Sequence, residues 1–75
     1  MGAQARGMER LIETIVTSIP KERETRDLYR STAQAAPTEM TRLLFERLAR
    51  DEEGHEAKLR AVLELLQQEA TAGRK

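Results

Sequence analysis

A chain of 75 residues with 13 basic and 13 acidic side chains, and a single Phe and a single Tyr, has the size of one small domain. It shows no basic excess of the kind that grips nucleic acid. The absence of cysteine excludes disulfides, thiolate zinc sites and rubredoxin-type iron sites. No apolar run approaches the roughly 20 residues that span a membrane, and no signal-peptide pattern opens the chain, so a cytoplasmic protein is expected. Hydrophobic residues at 39% and charged residues at 35%, with few aromatics, are the balance of amphipathic helices rather than strands.

Residues 1–7 are small and polar and read as a disordered N-terminal segment. From Met8, the apolar residues Leu11, Ile12, Ile15, Val16 and Ile19 recur at helical spacing. Pro20 then removes one amide donor and crowds the preceding turn. Either the helix is kinked and continues, or it breaks and Ser18 caps a new one. The stripe Leu11, Ile15, Ser18, Glu22, Thr25, Tyr29, Thr32, Ala36 keeps one register across the proline, which favours a single kinked or briefly interrupted helix. The helical pattern ends at Ala35-Ala36-Pro37-Thr38, where Pro37 disfavours helix in the residue before it and suits the first turn of the next. Thr38 is the alternative N-cap. So short a connection folds the chain into an antiparallel hairpin. The last helix is expected from about Pro37 to Glu69, and residues 71–75 read as a frayed tail. The domain proper is therefore residues 8–70, an all-α antiparallel helical hairpin.

One stripe of the second half reads Phe45, Leu48, Glu52, His55, Leu59, Val62, Leu66. Its alternating spacing of three and four is that of a helix face turned toward a partner. A carboxylate and the only histidine interrupt it, and burying either is costly unless something compensates. Glu-x-x-His places both side chains on one side of a single turn, an arrangement that suits a bound metal ion. Glu22 supplies a further carboxylate, because in a hairpin folded at Pro37 it stands at nearly the height of Glu52. Glu53 and Glu56 are expected to point aside, and Asp51 to border the seam. Gly54, inside the helix, is expected to mark a close-packed neighbour or a local bulge.

The runs Lys21-Glu-Arg-Glu-Thr-Arg-Asp-Leu-Tyr29 and Leu44-Phe-Glu-Arg-Leu-Ala-Arg-Asp-Glu-Glu-Gly-His55 resemble the ferritin-like superfamily, particularly its rubrerythrin branch. That branch places a metal-binding Glu one heptad before a Tyr, and a Leu-Phe-x-x-Leu-Ala run before Glu-x-x-His. The resemblance implies that Glu22, Glu52 and His55 are iron ligands and that Tyr29 is a phenol standing behind them. A ferritin-like di-iron site draws on four helices, and this chain has half of that set. The resemblance is greatest to the encapsulated ferritins, whose short hairpins build a di-iron centre across a homodimer interface, assemble further into rings, and sit inside an encapsulin shell.

The activity so implied is ferroxidase oxidation of Fe(II), with manganese an alternative metal for the same donors. Rubrerythrin-like peroxide reduction at the same centre is a second reading, and a metal-free helical dimerisation module a third. His55 must be neutral to bind a metal, so affinity is expected to fall in acid.

Overall fold

The computed structural model describes residues 2–72. Helix α1 spans Gly2–Gln34 and helix α2 spans Glu39–Ala72. They pack side by side as an antiparallel hairpin measuring 57 × 15 × 12 Å, the expected fold class. α1 includes residues 2–7 and α2 includes residues 71–72. Met1 and residues 73–75, the remainder of the expected terminal segments, lie outside the described residues.

α1 runs through Pro20 without interruption. The proline is exposed, so its ring points away from α2, and the cost is the amide bond it cannot donate. In the turn before it, Thr17 Oγ1 and Ser18 Oγ donate to the carbonyls of Glu13 and Thr14, each at 2.8 Å. Ser18 thus bonds backward within one helix instead of capping a second.

The reversal occupies residues 35–38. The Ala35 amide donates to Ser31 O and the Ala36 amide to Ala33 O, both at 3.2 Å, so the last turn tightens toward 3₁₀ geometry. Pro37 follows, where no amide is available to extend the helix. Thr38 is the N-cap of α2: its Oγ1 accepts the Thr41 amide at 3.2 Å and its carbonyl accepts the Arg42 amide at 3.0 Å. Glu39 then places a carboxylate in the first turn, at the positive end of the helix dipole. α2 therefore starts two residues after the expected Pro37, because the threonine side chain satisfies the amide that a helix entered at the proline would leave open.

The line of contact on α2 is displaced from the expected stripe. Phe45, Ala49, Glu52, Glu56, Leu59, Leu63 and Leu66 are its covered positions, and they too alternate four and three. On α1 the expected stripe is covered apart from Leu11, at Ile15, Ser18, Glu22, Thr25, Tyr29, Thr32 and Ala36, and Ile12, Ile19, Arg26 and Ala33 are covered beside it. Ile15, Ile19, Ala33 and Ala49 form the buried core. Leu48 and Val62, expected on the seam, are 40% and 44% exposed, and Leu11 is 54% exposed. Gly54 has ordinary helical backbone and open space where a Cβ would stand. It marks neither a close-packed neighbour within the hairpin nor a backbone distortion, and it costs the helix about 1 kcal/mol relative to alanine.

The two flanks of the hairpin differ in kind. At about 100° per residue, Arg23 and Arg30 of α1 and Glu53 and Arg60 of α2 turn to one side. There, Arg30 pairs with Glu53, and Glu56 is held by Arg23 and Arg60. Leu44, Leu48, His55 and Val62 turn to the other side, and all four are exposed. One flank is stitched by charge between the helices, and the other is open, with exposed apolar residues of α2 beside His55 and Lys58.

Candidate metal centre

Glu22 reaches the centre from the covered line of α1, and Glu52 from that of α2. His55 stands one turn beyond Glu52 on the open flank. His55 Nδ1 lies 3.6 Å from Glu22 Oε2 and 3.7 Å from Glu52 Oε2. One donor atom from each residue falls within 4.8 Å of the others, the one such group of three among the described residues. The side chains of Glu22 and Glu52 are 27% and 16% exposed and that of His55 is 56% exposed. Where the sequence pattern expects an imidazole within an apolar seam, the structure puts it at the rim of the carboxylate pair.

These separations are too long for hydrogen bonds. Glu22 Oε2 is buried with no hydrogen-bond partner, an arrangement that costs about 1–3 kcal/mol, more for a charged group. Two donors each about 2.1 Å from one cation stand no more than about 4.2 Å apart, and both measured spacings fall inside that limit. Two carboxylates and an imidazole are donors that suit Fe(II), Mn(II) and Zn(II). An open groove lined by Glu22, His55, Lys58, Leu59 and Val62 leads to the cluster from the unstitched flank.

Tyr29 stands on the turn side of the cluster. It lies one heptad from Glu22, about 10 Å along the helix, and its ring packs against Phe45 with centroids 6.1 Å apart and planes at 50°. The two aromatics form the layer between the carboxylates and the turn. Asp51 is exposed and has no ion pair among the described residues.

Glu56 is the site-adjacent residue that the sequence pattern misplaces. It sits on the covered line with its side chain 14% exposed. Arg23 Nε donates to Oε1 at 3.1 Å and Arg23 Nη2 to Oε2 at 3.2 Å, while Arg60 Nε donates to Oε2 at 2.8 Å. The i,i+4 spacing of Glu56 and Arg60 is the one sequence signal for it; the arginine from α1 has none. Hydrogen bonds from Arg23, then from Arg60, hold the Glu56 carboxyl at about 2, below its ordinary 4.5. A carboxyl lowered by folding stabilises the native state fully above about 4.5, and that support is lost as pH falls toward 2. Thermal melts of the metal-free protein are therefore expected to fall less steeply between pH 5 and pH 2.5 in Glu56→Gln than in the unmodified chain. Parallel slopes would show that the cluster contributes nothing to acid stability.

An all-α hairpin that gathers Glu, Glu and His between its helices has the make-up of one half of a carboxylate-bridged helical metalloprotein. The family model described as Rubrerythrin matches residues 13–75, and the chain belongs to the rubrerythrin family, whose members are typically di-iron oxidoreductases. No curated protein and no solved structure matches the chain significantly.

Proposed function

We propose that this protein binds iron and oxidises Fe(II) at a di-iron centre completed by a second copy of the chain. The observation that carries this reading is the Glu22–Glu52–His55 cluster with its orphaned Glu22 Oε2, in a chain of a di-iron family. One chain offers two carboxylates and one imidazole, and a ferritin-like pair of irons takes twice that set. The exposed imidazole and the exposed apolar residues that share its flank of α2, Leu44, Leu48 and Val62, support pairing through the open flank. Ring assembly and an encapsulin shell, which the encapsulated-ferritin resemblance implies, belong to the same proposal.

The residues divide the work. Glu22 and Glu52 would hold the metal as hard anionic donors, and their charge would favour the ferric over the ferrous state. His55, at the mouth, provides the nitrogen donor. Tyr29 and Phe45 close the layer toward the turn and limit water on that side. Two Fe(II) ions, as substrate, would give up one electron each, and with two protons from solvent these would reduce dioxygen to hydrogen peroxide, or hydrogen peroxide to two waters.

The test is oxidation of Fe(II) in air by the purified chain, followed as ferric absorbance and compared with the buffer blank. Saturable oxidation is expected to be faster than the blank and to be inhibited by Zn(II), which takes the same donors without redox chemistry. Peroxide consumption that turns over only with added reductase, with no Fe(II) oxidation in air, would replace ferroxidase action by the rubrerythrin-like peroxidase reading. Neither activity, in a chain that takes up no metal, would favour the dimerisation module.

A further inference from the structure

We infer that Arg23 and Glu56 form a clasp that sets the register of the two ligand-bearing helices, and so act as positioning residues for the metal cluster. Arg23 follows Glu22 directly on α1, and Glu56 follows His55 directly on α2. The forked contact between them, at 3.1 and 3.2 Å, therefore ties together the two turns that present the donors. Arg60 holds the same carboxylate from the next turn of α2 at 2.8 Å, and Arg26 Nη1 approaches it from α1 at 3.9 Å. Three guanidinium groups around one carboxylate leave that side chain little freedom. A planar guanidinium bound through two nitrogens fixes direction as well as distance, which a lysine does not.

Arg30 and Glu53 tie the helices again nearer the turn, but apolar packing beside the clasp is thin. The buried core consists of Ile15 and Ile19 on one side of the cluster and of Ala33 and Ala49 on the other. At the level of the metal ligands the covered residues are mostly polar: Glu22, Thr25 and Arg26 of α1 and Glu52 and Glu56 of α2, with Leu59 beyond them. Two smooth helices slide by a few tenths of an ångström at little cost where no side chains interlock. A slip that lengthens the 3.6 Å spacing between Glu22 and His55 past about 4.2 Å takes Glu22 out of reach of a shared ion. The clasp lies on the stitched flank, so it holds the register while leaving the opposite flank free for metal and for a second chain.

This inference rests on the proposed metal site, and the experiment separates the two. Co(II) titration by visible absorption is compared for the full-length unmodified chain, Glu56→Gln, Arg23→Lys and the exchanged pair Arg23→Glu with Glu56→Arg. The same proteins in Glu24→Cys, Ala57→Cys form, at two exposed positions of a cysteine-free chain, carry spin labels that report the distance between the helices. Labelled chains are diluted into unlabelled ones. Expected is a loss of Co(II) affinity of about 10-fold to 100-fold in the single variants, with a broadened or shifted label distance and unchanged helix content. Recovery of either quantity in the exchanged pair would support the clasp. Unchanged affinity and an unchanged distance distribution in Glu56→Gln would overturn it. If the unmodified chain takes up no Co(II), the metal reading fails, and the label distances alone decide whether the clasp sets register.

Discussion

Replacing Glu22 by leucine is expected to stabilise the metal-free chain and to abolish its metal binding. The two effects have one cause. Glu22 Oε2 is buried without a hydrogen-bond donor, so the folded metal-free chain bears the cost of a stripped carboxylate oxygen. A leucine of similar reach removes that cost and adds apolar contact between the helices. A gain of about 1–2 kcal/mol follows, which for a chain of this size is a rise in melting temperature on the order of 5–10 °C. Metal affinity should fall by more than the roughly 100-fold that marks the loss of a group behind a ligand, and Fe(II) oxidation should drop to the buffer rate. Opposite movement of stability and binding is the signature of a residue kept for function at a cost in stability. Melting curves with excess chelator and Fe(II) titrations of the same preparations measure both. A destabilised Glu22→Leu that still bound iron would mean that Glu22 is an ordinary packing residue.

Placing a charge at Leu48 is expected to separate the chains and thereby empty a site whose own ligands are intact. Leu48 is 40% exposed in the hairpin and lies one heptad from His55 on the open flank. In the single chain, Leu48→Glu therefore exchanges one exposed side chain for another, within about 0.5 kcal/mol of neutral. Across a paired interface it buries an uncompensated carboxylate at several kcal/mol, once on each side of a two-fold axis. Sedimentation should show a shift from dimer or larger to monomer, together with loss of di-iron uptake. The contrasting variant is Arg30→Gln on the stitched flank, which should leave both unchanged. A Leu48→Glu protein that stayed paired and loaded with iron would place the interface elsewhere.

Much of the architecture is legible in the residues because its determinants are local. The run Ala35 to Thr38 ends one helix and starts the next through a missing amide and a threonine cap, and both are visible in four letters. Glu22 and Glu52 can be placed beside one another because their heights follow from counting residues to the turn, and the hairpin brings them together. The choice between neighbouring stripes is where counting fails. Leu48 and Val62 look like core and Ala49 and Glu56 do not, yet the hairpin covers the second pair. Alanine at 33 and 49 lets the helices approach closely near the turn. Glu56 is tolerated on the covered line because an arginine 33 residues away in sequence neutralises it. Neither compensation appears in the periodicity of one helix. A helix that serves two neighbours has two apolar lines, and its sequence does not say which neighbour comes from the same chain.

Under the proposed function, one chain half-builds the metal centre and two chains complete it. The most direct test of that function is the mass of the native, iron-loaded protein, taken together with its metal content after purification without chelator. About one iron per chain in an assembly with an even number of chains, reverting to smaller species when iron is removed, is the predicted result. A monomer that retains its iron at that same ratio would contradict it.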